Sequence, residues 1–364
     1  MEVIVALYDQ IFIYPFSYRY LIMKKKIKLP FLLSKWFHFE FWPFWIFYIP
    51  MFGYGLYLAL KARSFAYFTA TNPAMKFGGA FGMDKTKMLN CINKKYTPRG
   101  FLFKMEQNNN DLTELLKIYD LNFPIICKPN IGERGIGVEK LDNNLDLEKF
   151  IASHPEDILV QEFIDYPIEL GIFYHRFPIS KKDGITSIVH KEFLSITGNG
   201  KLRFGDLVKK NIRAKSRISY LKRKYESKWE QIIPSGISYK LEPIGNHNRG
   251  TKFLDGNHLI NDQLVEVFRD ISKPLDGYYY GRFDIKVKSI VDLYEGNNIK
   301  IIELNGTNSE PAHIYDPDYS IFKAYKEIIK HMKLVYDISK ENRELGIKPD
   351  SFTKLFRGLL QHLR

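Results

Sequence analysis

The chain has 364 residues, of which 45% are hydrophobic and 15% aromatic, and its formal net charge is +13. That length and apolar content exclude a largely disordered chain and allow two or three domains with substantial cores. The positive balance favours an anionic partner such as a nucleotide, a nucleic acid or an acidic membrane face. Cys91 and Cys127 lack metal-ligand spacing, which argues against a zinc site or a disulfide framework and for a reducing compartment.

Residues 1 to 22 are apolar and aromatic and run into MKKKIK, which reads as an ordinary initiation segment and makes Met23 an alternative start. Lys35, His38 and Glu40 interrupt the next apolar run, so no signal peptide is expected. From Phe41 to Leu60 there are twenty residues without a charge, close to the ~20 that span a bilayer. Pro43 and Pro50 remove helix donors, Gly53 and Gly55 loosen the second half of the stretch, and Trp42, Trp45, Tyr48, Tyr54 and Tyr57 are types that favour the interface. The expectation is a bent segment lying in a membrane interface, with the basic run at 24 to 28 against anionic headgroups. A true span and a buried subdomain are the alternatives.

NPAMKFGGAFGMDKTKMLN, 72 to 90, is a glycine-rich loop followed by a helix that starts near Met83. Lys85 then falls in a first turn, where a cation is unfavourable unless an anion lies close. In FPIICKPNIGERGIGVEKL, 123 to 141, a short apolar strand ends at Lys128 and gives way to a loop with Gly132, Gly135 and Gly137. Glycines let a backbone approach a phosphate closely and expose consecutive N–H donors. A plain glycine hairpin is the simpler alternative.

DILVQEFIDYPIELGIFYHRF, 157 to 177, reads as strand, interruption at Asp165 to Pro167, and strand. Unpaired backbone of Glu162, Phe163 and Ile164 suits an adenine edge, and Glu169 the ribose hydroxyls; a surface place for either acid is the alternative. Residues 201 to 230 are basic and helical without a clean apolar stripe, so a solvated face is expected there. His247, Arg249 and Lys252 gather in a glycine-flanked loop that suits an anionic substrate or phosphoryl group.

In YGRFDIKVKSIVDLYEGNNIKIIELNGTNSEPAHIYDP, 280 to 317, Arg282 and Asp284 alternate with Phe283 and Ile285 on one strand, and Glu303 and Asn305 share a face at the end of a second. If YEGNN is a turn between antiparallel strands, Asp284, Glu303 and Asn305 converge as hard oxygen ligands of the kind magnesium takes. A hairpin with one solvated face is the alternative.

The ordered set of a K-T-K helix, a strand-KP-glycine loop, a QEFI hinge, GRFD and ELNG resembles the ATP-grasp superfamily, in its D-alanine–D-alanine ligase-like branch of carboxylate-amine ligases, over residues 76 to 335. The resemblance implies an α/β (α+β) ATP-grasp fold, two α/β subdomains gripping ATP, with Mg2+ as the metal. It carries Lys85, Lys128 and the loop Gly132, Gly135 and Gly137 over as phosphate contacts. Gln161, Glu162, Phe163, Ile164 and Glu169 become the nucleoside contacts. Arg282 becomes the residue that stabilises the transferred phosphoryl group, and Asp284, Glu303 and Asn305 the metal ligands. Two departures concern the substrate: Glu133 and Arg134 replace the small hydroxyls of the family's loop, and the serine after His313 is missing. The family's N-terminal α/β domain is replaced by the aromatic segment 1 to 75.

These readings divide the chain into that segment, a catalytic domain at 76 to 335 and a helical tail at 336 to 364. They imply an ATP-dependent ligase that joins a carboxylate to an amine through an acyl phosphate, with His247, Arg249 and Lys252 near the reacting groups. An amphiphilic or envelope-related substrate and a cytoplasmic, peripheral place on the inner membrane face are expected, and no nucleic acid. Phosphoryl transfer or ligation to a non-amine acceptor, and a non-catalytic nucleotide-binding membrane scaffold, are the alternatives.

Overall fold

A computed structural model describes residues 39–106, 109–132 and 135–362. The start at Met23, the basic run at 24 to 28 and the loop residues Glu133 and Arg134 lie outside the described residues. The chain forms two compact units, Met1–Ile49 and Pro50–Arg364. In the first, Pro43 leads into a short helix α1 (Phe44–Tyr48), and the rings of Phe39 and Phe47 stack at 5.6 Å.

The second unit opens with helix α2 (Phe52–Ala62), which ends where Arg63 turns left-handed at φ 53°. The uncharged stretch 41 to 60 therefore holds a five-residue helix and most of an eleven-residue one that runs on to Ala62, separated by a 3-10 turn over Ile49–Met51 that contains Pro50. Among the described residues no helix is long and apolar enough to cross a membrane. Leu58, Ala59 and Ala62 face a core with Tyr67, Tyr280, Val335 and Tyr336, while Phe52, Leu56 and Leu60 stay exposed. The segment is thus core on one side only.

Helix α3 (Lys85–Asn90) starts at Asp84, whose carboxylate accepts from the Lys87 N–H at 2.9 Å. The first sheet contains β1 (Gly100–Phe103), β2 (Ile125–Pro129), β3 (Glu139–Leu141) and β4 (Ile158–Glu162), in the antiparallel order β1-β4-β2-β3. Helices α4 (Asn109–Ile118) and α5 (Asn144–Ser153) supply Leu112, Leu116, Leu147 and Phe150 to the core that it shares with Phe103 and Ile158. The Asn143 side chain caps α5 by accepting from the Asp146 N–H.

The second sheet begins with β5 (Ile168–Arg176) and β6 (Asp183–Glu192). The chain then leaves it for a module of β7 (Ser195–Thr197), α6 (Phe204–Lys210), α7 (Ile218–Lys224) and β8 (Ser238–Lys240). Phe204, Val208, Leu221, Trp229 and Leu241 give this module a core of its own. The basic region is therefore not simply a solvated face, because its apolar residues are spread over several short elements and close only in three dimensions.

Strands β9 (Lys252–Asp255), β10 (Tyr280–Val287) and β11 (Ile299–Leu304) complete the antiparallel order β11-β10-β5-β6-β9. Leu264, Phe268 and Ile271 of α8 (Asp262–Ser272) pack at helical spacing on Ile172, Phe283 and Ile285 of this sheet. The turn expected at 294 to 298 is instead preceded by a short helix α9 (Ile290–Glu295), which Ser289 caps and Gly296 ends. The antiparallel pairing expected of that turn is nonetheless present, with Asp284 opposite Glu303. The long helix α10 (Ile321–Glu344) runs through the boundary expected at 335/336, and α11 (Phe352–His362) ends the described chain.

Candidate active site

Period-2 geometry divides β10 between two tasks. Phe283, Ile285 and Val287 enter the core, and Arg282, Asp284 and Lys286 project from the other face. Arg282 grips Asp284 with two bonds, Nε to Oδ1 at 2.7 Å and Nη2 to Oδ2 at 3.1 Å. Neighbouring strands surround this pair. Glu169 of β5 lies opposite Lys286 of β10, and the Lys191 ammonium of β6 sits 3.0 Å from Glu169 Oε1 and 3.5 Å from Asp284 Oδ2. Gly171 makes the room, since a Cβ there would stand 3.0 Å from Asp284 Oδ1 and 2.9 Å from Arg282 Cδ.

Burial opposes the charge of each group, and the partners decide the outcome. Burial pushes Asp284 up, but Arg282 and Lys191 hold it below the usual carboxylate range. For Lys191 burial works downward, and Asp284 and Glu169 outweigh it and raise the pKa. Both remain charged at neutral pH.

Two more lysines come from the first sheet and from α3. Lys128, at the end of β2, donates to the Ile302 carbonyl of β11 at 2.9 Å and so bridges the two sheets. Burial lowers its pKa to about 8, with Glu303 opposing the fall and Lys85 adding to it. Lys85 donates to the carbonyls of Pro129 at 3.2 Å and Gly132 at 2.5 Å, so it sits at the root of the glycine loop. Asn130 fixes that corner, accepting from the Thr86 N–H and hydroxyl and donating to Asp84.

Asn305 lies just past the end of β11. Its amide Nδ2 is 3.4 Å from Asp284 Oδ2, and its backbone exchanges hydrogen bonds with Arg282 at 2.9 and 3.2 Å. Asp284, Glu303 and Asn305 are thus assembled from two paired strands. Their donors are two carboxylates and an amide, all able to offer oxygen, which fits a hard cation such as Mg2+. Among the described residues no group of three or more His, Cys, Asp or Glu is placed to hold a metal ion. Lys85, Lys128, Lys191, Lys286 and Arg282 face Glu169, Asp284 and Glu303 here, a cationic excess that suits a polyphosphate.

Other expected contacts have more varied settings. Gln161 is buried within β4, paired in register with Gly100 and Ile126. The Glu162 carboxylate accepts from the Arg99 backbone N–H at 2.9 Å and side chain at 3.0 Å, so it closes the end of β4. Phe163 has Lys140 and Lys286 over its ring at 5.1 and 5.2 Å, and the Ile164 carbonyl accepts from Lys286 Nζ at 2.9 Å. Arg249 donates to the carbonyls of Gly135 at 3.0 Å and Val138 at 2.8 Å, and lies 3.6 Å from buried Glu242. It therefore ties the inserted module to the glycine loop. His247 packs near Phe253 and Tyr315, whereas Lys252 lies on the edge strand β9. Gly137 is held close to the Pro129 ring and Gly135 to Asn246.

Sequence reasoning missed Lys191, Lys286 and Asn72. Lys286 continues the phase of Arg282 and Asp284, a signal that was readable. Lys191 is buried between exposed His190 and Glu192, and only strand order shows what it meets. Asn72 donates to the carbonyls of Gly78 at 3.1 Å and Tyr280 at 2.8 Å and accepts from the N–H groups of Tyr279 and Tyr280. It thus stitches the glycine-rich loop to the start of β10.

Residues 83–169, which run from the start of α3 through the first sheet to the start of β5, match the family model of the RimK-like ATP-grasp domain. Among solved structures, VanG D-Ala:D-Ser ligase from Enterococcus faecalis is similar at 13% identity and a TM-score of 0.42, over 73% of this chain and 64% of that one. D-alanine–D-alanine ligase from Bacillus anthracis is similar at 16% identity and 0.43, over 75% and 72%. An ADP complex of N5-carboxyaminoimidazole ribonucleotide synthetase is similar at 12% and 0.34, over 63% and 45%. The chain spans less than two thirds of the first of these, and at such distances none assigns an activity. No curated protein matches.

Proposed function

We propose that the protein is an ATP-dependent carboxylate-amine ligase that forms an amide through an acyl phosphate. The observation that carries this reading is the convergence of Arg282, Asp284, Glu303 and Asn305 with Lys128 from the other sheet and Lys85 from α3. Phosphoryl transfer asks little covalent work of a protein and much positioning and charge neutralisation. Lys85, Lys128 and the glycine loop hold phosphates; Glu162 to Ile164 and Glu169 serve the nucleoside. A magnesium ion held by Asp284, Glu303 and Asn305 would neutralise phosphate oxygens. Arg282 donates to the transferred group and to the acyl phosphate, and Asp284 fixes its fork. Arg249 holds the glycine loop in place, and His247 and Tyr315, whose rings lie 5.9 Å apart, serve the acceptor.

The reading extends to a peripheral site on the inner membrane face and an amphiphilic or envelope-related substrate, supported by the aromatic segment 41 to 60. The test is magnesium-dependent ADP release with panels of carboxylates and amines, with hydroxylamine added to trap the acyl phosphate as a hydroxamate. Carboxylate-dependent ADP and hydroxamate, both lost in Asp284→Ala, are expected. ADP release with no hydroxamate from any carboxylate points to phosphoryl transfer instead, and binding without turnover to a scaffold.

A further inference from the structure

Helix α11 (Phe352–His362) sits on the protein the wrong way round for an ordinary surface helix. Phe352, Phe356, Leu359 and Leu360 recur at the i, i+4, i+7, i+8 spacing that normally faces a core. Here all four are exposed, Phe352 at 63%. The buried position is Gly358, where a Cβ would stand 2.3 Å from the Phe77 ring and 3.3 Å from that of Phe81. The helix thus lies on its glycine and turns its apolar stripe outward, with the Phe352 and Phe356 rings stacked at 6.2 Å.

Helix α2 buries Leu58, Ala59 and Ala62 in a core yet also carries an outward apolar side, with Phe52 at 81% exposure and Leu56 and Leu60 exposed beside it. The end of α2 and the segment that leads into α11 are both tied near the end of α10. Arg343 of α10 donates to the Ala62 carbonyl at 2.8 Å, Asn342 donates to the Ala70 carbonyl at 2.9 Å, and the Asp350 N–H donates to Thr69 Oγ1 at 2.8 Å. Exposed apolar patches of this kind mark interaction sites.

Charge selects the occupant. Neither helix contains an Asp or Glu, and Lys61, Lys354 and Arg357 flank the apolar residues, Lys354 also reaching back to Asp350 at 2.5 Å. A second copy would set one chain of +13 against another. Amphipathic helices with basic flanks bind the surface of anionic bilayers. We propose that α11 and α2 together form a docking surface for an anionic lipid bilayer, with α11 as a half of that surface which the aromatic segment does not include. The proposal rests on the peripheral reading of 41 to 60 and is independent of the ligase chemistry.

The test is co-sedimentation of the full chain with vesicles of phosphatidylglycerol and phosphatidylcholine in equal parts, beside vesicles of phosphatidylcholine alone. Binding to the anionic vesicles that weakens with salt is expected, and F356E/L360E should lower the affinity about tenfold or more. K354E/R357E should weaken binding at low salt and flatten the salt dependence. Unchanged melting temperatures show that the variants fold. Absence of vesicle binding by the full chain overturns the proposal. So does binding that F52E/L60E abolishes and F356E/L360E leaves intact, an outcome that would retain the aromatic segment and remove α11. A solution dimer that F356E/L360E dissociates, without vesicle binding, assigns the face to a second copy and also overturns it.

Discussion

Burial brings the Lys128 ammonium down to a pKa of about 8, with Glu303 resisting the fall and Lys85 deepening it. In the proposed ligase its protonated form is the one that would meet a phosphate, so ATP capture by the free enzyme should fail on the alkaline side. The expected profile is a kcat/KM for ATP that is flat at neutral pH, falls to about half near pH 8 and drops about tenfold per pH unit well above it, since this parameter reports groups of the free enzyme. Lys128→Arg carries a charge that does not titrate in this range and should lose the alkaline limb, whatever its absolute rate. Asp284 offers the complementary case. Asp284→Asn keeps the shape and leaves Arg282 and Lys191 facing each other without their shared carboxylate. Magnesium-dependent turnover should fall by about 10²-fold or more, and urea melts should show a loss of roughly 3 kcal/mol, because one partner of a buried ionic group has gone. Arg282, Asp284, Lys85 and Lys128 were legible because each stands on a short element with a simple phase. The partners of Glu169 were not. Lys191 and Lys286 reach it from two neighbouring strands, and a period of two says which face a residue takes without saying which strand will lie alongside.

At the scale of elements, two glycines show how the loop at 78 to 82 supports the end of β11. A Cβ on Gly306 would stand 2.6 Å from the Gly79 Cα and 2.8 Å from the Gly78 carbonyl oxygen, while the Thr307 and Asn308 N–H groups donate to the carbonyls of Gly78 and Gly79 at 3.2 Å. Both backbones must yield if either gains a methyl group. Gly306→Ala should therefore cost about 1 to 3 kcal/mol in urea melts, as overpacking does, and should raise the KM for ATP as Asn305 is displaced. Gly53 is the control, since a Cβ there meets nothing within 4 Å. Gly53→Ala should be neutral or stabilise α2 by up to about 1 kcal/mol. The strands β2, β4, β5, β10 and β11 were visible in short apolar or alternating runs, whereas β1 went unread and β9 was taken as part of a polar loop. The inserted module and the outward face of α11 were not visible: the former closes its core from scattered residues such as Phe204 and Trp229, and the latter carries a stripe whose direction only packing on Gly358 reveals.

The whole molecule depends on three histidines kept neutral behind the second sheet. Burial lowers His175 to about 4 and takes His331 well below its ordinary value, with Lys330 and the neighbouring His313 and His175 adding to the effect on His331. Burial also lowers His313. His331 Nδ1 meets the Tyr280 hydroxyl at 2.9 Å, its ring stands edge-on to Phe173 at 4.5 Å, and Nε2 has no hydrogen-bond partner. The unfolded chain takes up these protons near pH 6.5 and the folded chain does so only at lower pH, so stability is complete above about 6.5 and falls as the pH drops toward 4. A shift from 6.5 to about 4 at His175 corresponds to up to about 3 kcal/mol lost across that window. Asp284 and Asp183 are also held below the usual range, the former against burial by Arg282 and Lys191, the latter against burial by Arg269 and Tyr174. Their contribution is lost only below the ordinary carboxylate pKa, so the onset separates the two kinds of group. Urea midpoints measured at half-unit steps from pH 7.5 to 4 should begin to fall near 6.5. In His331→Leu the curve should start from a lower plateau, because Tyr280 loses its partner, and fall less steeply between 6.5 and 5. A wild-type curve that stays level down to pH 5 would show that these rings are solvated and that α10 packs on the sheet more loosely than the Tyr280 and Phe173 contacts require.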